Sequence, residues 1–176
     1  VQQAAFELVL DKRLNLRPLP EGWRVVTAVN GNDSIYSVNA IDPALLSRFF
    51  VVDFKPSVED WLKWAAGDGD IHSAVLEFLR RFPDFLDPTS TYLAEQSTKE
   101  VGQAKVHDRR AWEKFSHTIQ KYEEDEASGK RTGRILGKNA ADIDFMTMVA
   151  RGYVGFMAAQ KFRSFIQTDY KTLDGD

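Results

Sequence analysis

The chain has 176 residues, a formal net charge of −3 and no cysteine. Its length allows one domain or two small ones, and its hydrophobic fraction of 43% excludes an intrinsically disordered chain. The absence of cysteine excludes a disulfide framework and a thiolate site, and it fits a cytoplasmic protein. The acidic balance gives no reason to expect nucleic acid as a direct ligand, and no apolar stretch approaches the roughly 20 residues that cross a bilayer.

The N-terminal third is predicted to alternate helix and strand. Residues 1–14 follow helical spacing, and the Pro- and Gly-containing segment 18–22 predicts a turn. The runs WRVVTAV (23–29) and FFVVDF (49–54) are rich in Val and Phe and do not alternate with polar residues. This composition predicts two strands buried on both faces of a mainly parallel sheet.

Capping residues mark two helix starts. Asp42 is a predicted N-cap, and Pro43 follows at the first helical position, where its missing N–H costs nothing. Ser57 with the acids that follow it, including Asp60, resembles a capping box at the start of a second helix.

Helical patterns continue from there to the end of the chain. Residues 59–65 and 71–82 are predicted helices separated by GDGD, and a third helix over 107–126 carries an apolar stripe. The stripe consists of Trp112, Phe115, Ile119 and Tyr122. A last helical region is predicted to break near 152–155, where two glycines occur.

The predicted fold is therefore mainly α with a small α/β remnant. We expect a boundary near residue 56, with the α/β piece over 1–56 and a helical domain over 57–176. Within the helical domain, the charged and Gly-containing segment near 123–140 predicts a mobile loop.

Two polar residues flank the predicted strands. Asn30 directly follows the first run, at the place where ligands bind in open α/β sheets. Its amide could there orient a water or touch a phosphate. The alternative is that Asn30 starts a turn with Gly31. Arg48 directly precedes the second run, where it could reach a nucleotide held by a neighbouring subunit. The alternative for Arg48 is an ordinary surface ion pair.

Further candidates are basic or histidine side chains. Arg110 begins the helix over 107–126, near amides that attract anions, and its neighbour Arg109 is not distinguished from it by these criteria. The histidines, at 72, 107 and 117, match no zinc-binding pattern. The basic segment GKRTGR (129–134) is the single feature that favours a DNA-associated domain.

The order of these features resembles the C-terminal half of an AAA+ ATPase module of the MoxR-like group. The resemblance covers essentially the whole chain outside the predicted loop and is most specific over 27–54. In that group the strand that corresponds to the run 23–29 is the sensor-1 strand, and its terminal asparagine matches Asn30. The segment DPALLSRF (42–49) matches the arginine-finger stretch of the group, which gives the finger role to Arg48.

The lid of that group is also matched. The segment RRAWEKFS (109–116) is similar to its lid motif, which makes Arg110 the sensor-2 candidate, with Arg109 where a proline is common. Residues 150–165 resemble its closing lid helices, and the first helix resembles the one that follows the Walker B strand.

The resemblance implies the sensing and lid portion of an ATPase that remodels or assembles protein complexes. It implies ATP and Mg²⁺ in the parent ATPase, a homo-oligomeric ring and a protein client, with neither nucleic acid nor membrane as a partner. The sequence contains neither the phosphate loop nor the Walker B acids, so this chain is expected to be the trailing part of a longer protein and to hydrolyse nothing alone.

The resemblance also implies that the two predicted strands are not neighbours, because the phosphate-loop strand lies between them in that group. We therefore expect residues 1–56 by themselves to rearrange, to pair with a second copy or to be partly disordered. The alternative function is a non-catalytic helical module for protein interactions.

Overall fold

The computed structural model describes residues 2–29, 41–88, 106–137 and 139–170. The chain divides into two compact units, Val1–Lys55 and Pro56–Asp176. The described residues are mainly helical, with seven α-helices and one small antiparallel sheet of two strands. None of the described helices combines the length and the apolar composition needed to cross a bilayer.

The first unit begins with a helix and a short hairpin. Its elements are α1 (Gln2–Leu10), β1 (Arg13–Leu14), β2 (Arg17–Pro18) and α2 (Pro43–Leu46). The predicted helix over 1–14 is therefore too long. Lys12 and Asn15 both have φ of 54°, in the left-handed region, which ends the helix and turns the chain into the hairpin.

The strands predicted over 23–29 and 49–54 are not formed in the described residues, so this part of the predicted α/β remnant is wrong. Their apolar side chains lie in solvent instead, with Val26 91% and Phe50 94% exposed. A strand requires hydrogen bonds to a neighbouring strand, and the described residues offer none to these two runs.

The second unit is helical, and its capping residues behave as predicted. Its elements are α3 (Val58–Ala66), α4 (Ser73–Arg81), a 3₁₀ helix (Pro83–Phe85), α5 (Arg109–Ala127), α6 (Ala140–Val154) and α7 (Phe156–Thr168). The Ser57 hydroxyl accepts a hydrogen bond from the Asp60 backbone N–H at 3.0 Å and donates one to its carboxylate, which lowers the pKa of Asp60. Gly155, with φ of 83°, separates α6 from α7, which confirms the predicted break.

The core of this unit is organised around one aromatic ring. Phe78 of α4 is fully buried, and five other rings lie with their centroids 5.1 to 5.8 Å from its own. These rings belong to Phe82, Phe85, Trp112, Phe162 and Phe165. The α5 stripe is confirmed, because its first three members are fully buried. Aromatic contacts therefore join α4, α5 and α7 in one core.

The connection between α5 and α6 is shorter than the predicted loop over 123–140. α5 continues through Ala127, so the acidic run 123–126 is helical. Ile135 and Leu136 are only 2% and 7% exposed and belong to the hydrophobic core. The middle of the connection is therefore anchored by apolar burial rather than free in solvent.

Gly137 lies against the start of α6, and we expect its replacement to be costly. A methyl group on Gly137 would lie 1.9 Å from Oδ2 of Asp142 and 2.9 Å from its Cβ, so rotation of the carboxylate alone does not relieve the clash. Gly137→Ala should lower the free energy of unfolding by about 1–3 kcal/mol in urea denaturation. The control is Gly152→Ala, on the exposed side of α6 with open space around the new methyl, which should raise stability by about 0.5–1 kcal/mol. Equal stability of the two variants would contradict this reading of Gly137.

Candidate functional site

Arg48 lies just after α2 in the first unit and is exposed. Asp42 caps α2 by accepting a hydrogen bond from the Ala44 N–H at 2.7 Å, which confirms the predicted N-cap, and Leu45 anchors the helix at 6% exposure. The guanidinium of Arg48 folds back on this turn, donating to the Ala44 carbonyl and to the Ser47 hydroxyl. Within the described residues no carboxylate pairs with Arg48, so the surface ion pair weighed for it is not observed there.

The other candidate of the first unit is Asn30, which lies outside the described residues. Arg48 and the candidates of the lid motif belong to different units.

Arg109 is held firmly within the second unit. Its guanidinium donates to both carboxylate oxygens of Asp87, at 2.7 to 3.1 Å, and to the carbonyls of Pro56 and Ser57, at 2.9 and 3.3 Å. Its side chain is 22% exposed. A guanidinium presents its donors in a fixed fork, and here that fork is occupied by protein acceptors.

Arg110 differs from its neighbour. It is exposed, and no hydrogen bond or ion pair joins its guanidinium to another described residue. It follows Asp108, which caps α5 by accepting from the Ala111 N–H at 2.6 Å. Of the two arginines that the sequence does not distinguish, Arg110 is therefore the one whose charge faces solvent.

The charges of α5 are arranged against its own dipole. The first turn contains no acidic residue and begins with Arg109 and Arg110, whereas the last turn contains no basic residue and holds most of the acidic run 123–126. A helix dipole favours negative charge at the N-terminal end and positive charge at the C-terminal end. Arg110 is therefore an exposed cation next to the backbone N–H groups at the start of α5, where the Asp108 carboxylate already caps the helix.

His72 has a structural role at the start of α4. Its Nδ1 accepts a hydrogen bond from the Ala74 N–H at 3.1 Å, so the ring proton lies on Nε2, which is 3.1 Å from a Glu123 carboxylate oxygen. Its backbone N–H donates to the Ser116 hydroxyl at 2.7 Å. One ring nitrogen of His72 thus caps α4, and the other joins α4 to α5. Across the described ranges, no group of three or more acidic or histidine side chains is placed to hold a metal ion.

His107 is buried beside the 3₁₀ helix, with 1% exposure and its ring 5.7 Å from that of Phe85. Burial lowers the pKa of His107 below its ordinary value of 6.5, against the opposing effects of Asp108, the Asp84 backbone and Asp87. The folded protein therefore holds this imidazole neutral more strongly than the unfolded chain does.

This depressed pKa predicts a pH-dependent loss of stability. Since the unfolded chain takes up the proton at higher pH, the contribution of His107 is complete above pH 6.5 and is lost as pH falls from there towards the folded pKa. In that window His107→Gln should remove a slope of at most about 1.4 kcal/mol per pH unit from the free energy of unfolding. Thermal or urea unfolding across pH checks this, with the exposed His117→Gln as the control. Equal slopes for the two variants would contradict it.

The basic segment 129–134 is partly occupied by contacts within the unit. The guanidinium of Arg131 lies 4.0 Å from the ring centroid of Tyr122 and 4.6 Å from that of Phe145. Arg134 pairs with Glu126 at 3.3 Å. These cation–π and ionic contacts leave fewer free cations to bind a phosphate backbone than the sequence indicates. They therefore weaken the hypothesis of a DNA-associated domain.

The sequence did not predict the contacts of Arg109 with Asp87 and the two carbonyls, because they join residues far apart in the chain.

No protein-family model matches the chain, and neither a curated protein nor a solved structure matches it.

Proposed function

We propose that this chain is the nucleotide-sensing and lid portion of an AAA+ ATPase of the MoxR-like group. The observation that carries the proposal is the contrast between adjacent arginines at the start of α5. Arg109 is bound to protein acceptors, whereas Arg110 is an exposed cation without an ion-pair partner among the described residues, at a helix start where the dipole attracts anions. A nucleotide phosphate is the ligand that such a position fits best.

Arg48 supports the same proposal. It lies just after a short capped helix, is exposed and has no carboxylate partner in the described residues, as expected of a finger that acts on the nucleotide of a neighbouring subunit. Its contacts with its own helical turn hold it near the backbone, and a phosphate would offer it stronger, charge-assisted hydrogen bonds.

The exposed apolar runs of the first unit provide further support. Trp23, Val26, Phe50 and Phe54 are between 65% and 94% exposed, and so much unburied apolar surface is unfavourable. In a parallel sheet completed by other strands of the parent ATPase, the same residues would be buried on both faces. The missing neighbours, rather than the sequence of these runs, would then explain why they form no strands here.

In the proposed mechanism the protein supplies positioning and positive charge. Asn30 orients the attacking water, Arg48 stabilises charge on the terminal phosphate held by the neighbouring subunit, and Arg110 contacts the phosphates from the lid. Mg²⁺, when bound with the nucleotide, would supply further positive charge at the phosphates; the described residues contain no cluster placed to hold it. The chain alone would hydrolyse nothing. The parent would act in the cytoplasm, as an oligomeric ring on a protein client.

Replacing Arg110 tests the sensing role. In the parent, Arg110→Gln should weaken ATP binding about 10- to 100-fold and leave ADP binding nearly unchanged, because the lost hydrogen bonds are to the terminal phosphate. Calorimetric titration with each nucleotide measures both affinities. The matched control is Lys114→Gln, an exposed cation one turn further along α5, which should change neither affinity by more than about threefold. An equal loss for ATP and ADP, or no loss, would argue against a terminal-phosphate contact.

A second candidate function, a non-catalytic interaction module, is favoured by one observation. Met148 in the middle of α6, and Phe156 and Met157 at the start of α7, leave 63%, 44% and 49% of their surface exposed. Exposed methionine and aromatic side chains are typical of protein-binding surfaces. In that case the arginine substitutions would leave ATP turnover unchanged, whereas Met148→Ser would weaken client binding.

A further inference from the structure

Three separated parts of the chain converge on the guanidinium of Arg109. They are the first residues of the second unit at Pro56 and Ser57, Asp87 just after the 3₁₀ helix, and the first turn of α5 itself. The chain passes from the first unit to the second at Lys55–Pro56. Arg109 therefore ties the beginning of the helical unit to the helix that carries Arg110.

The chemistry of this contact is specific to arginine. One edge of the fork grips the Asp87 carboxylate through two nitrogens, while the terminal nitrogens also reach the carbonyls of Pro56 and Ser57. An ammonium group is a single centre and does not span the carboxylate and both carbonyls in this way. A cation near the start of α3 is disfavoured by that helix dipole, and the Asp87 carboxylate offsets this cost.

We propose that Arg109 is a positioning residue that fixes where the chain enters the helical unit relative to the start of α5. Binding of an anion by Arg110 would pull on the first turn of α5, and Arg109 would pass that displacement to Pro56 and Ser57. The contacts of Arg109 with Asp87, Pro56 and Ser57, which we call the clamp, do not depend on the proposed function. The part of the clamp in nucleotide sensing rests on that function. Arg109 itself contacts no ligand in this scheme.

Backbone relaxation of the chain tests the clamp without any nucleotide. In the wild type, the Ser57 and Val58 amides should have order parameters near 0.85, like a rigid helix, and in Arg109→Gln they should fall below about 0.6. The matched control is Arg163→Gln, which removes an ion pair of similar length (2.9 Å, to Asp144) elsewhere in the same unit. That control should leave Ser57 and Val58 unchanged.

Two further variants keep the test decisive. Arg109→Lys preserves the charge beside Asp87 and should restore the order of the Ser57 and Val58 amides only partly. If Arg109→Gln does not fold, Asp87→Asn is used instead and should lower the order parameters of these two amides to an intermediate extent. Unchanged order in Arg109→Gln, or equal loosening in Arg163→Gln, would overturn the proposal. So would full rescue by lysine.

A kinetic measurement on the parent separates this inference from the proposed function. Arg109→Gln should lower kcat about tenfold with little change in KM, because positioning rather than binding is lost. If the proposed function is wrong, both arginine variants leave ATP turnover unchanged while the relaxation difference persists. If the clamp is wrong, Arg110→Gln still weakens ATP binding, whereas Arg109→Gln changes neither kcat nor the order of Ser57.

Discussion

In the parent ATPase proposed above, replacing Arg48 by alanine is expected to lower the turnover number at least about a thousandfold while nucleotide binding stays intact. The reason is that a finger acts on charge that develops on the terminal phosphate during transfer, and it contributes little to binding of the ground state. Steady-state hydrolysis and calorimetric titration together separate the two effects. Arg24→Ala, at another exposed arginine of the first unit, is the matched control and should retain full turnover.

Mixing two inactive variants tests whether Arg48 acts on a neighbouring subunit. Arg48→Ala subunits keep Asn30, and Asn30→Ala subunits keep Arg48. In randomly mixed rings, about one interface in four joins an intact Asn30 to an intact Arg48 from the adjacent subunit, so activity should return to roughly that fraction. No recovery on mixing would contradict action between subunits, and normal turnover by Arg48→Ala alone would contradict the finger role itself.

The second large effect is expected in the core of the helical unit. Phe78→Ala removes a fully buried ring that five other rings surround, so the free energy of unfolding should fall by about 3–5 kcal/mol. Urea denaturation followed by tryptophan fluorescence measures this, since Trp112 lies with its ring centroid 5.1 Å away. Phe156→Ala is the control, because that ring is 44% exposed and should lose less than about 1 kcal/mol. Similar losses in the two variants would show that Phe78 does not organise this core.

The helical unit was largely predictable from sequence because its signals are local. Ser57 and Asp60 satisfy each other across one turn, and the apolar spacing along α5 is a property of a single helix. Gly155 marks a break for the same reason, since a positive φ is easy for glycine alone. None of these features depends on what another part of the chain does.

The first unit was less predictable because strands depend on partners. The runs 23–29 and 49–54 have strand composition, yet the described residues contain no neighbouring strand for them. The predicted end of α1 was wrong for a different reason, because nothing in the sequence marks Lys12 and Asn15 as residues with a left-handed backbone. Burial of Ile135 and Leu136 was missed because charged neighbours and glycines dominate their segment.

The sequence indicated candidate residues for the site but not their contacts. Sequence order indicated Arg48 and Arg110, and both are exposed cations in the structure. Only the folded chain distinguishes Arg109 from Arg110, because the Asp87 carboxylate and the Pro56 and Ser57 carbonyls that engage Arg109 come from distant positions. Asn30 stays a prediction, since it lies outside the described residues.

The most direct test of the proposed function is calorimetric titration of Mg-ATP into two proteins side by side. One is this 176-residue chain, and the other is a longer version that includes the phosphate loop expected in the proposed parent. We expect binding by the extended protein in the micromolar range, about −8 kcal/mol, and no measurable binding by the chain alone. Tight binding by the chain alone would contradict the proposal, because the chain would then contain a complete nucleotide site of its own.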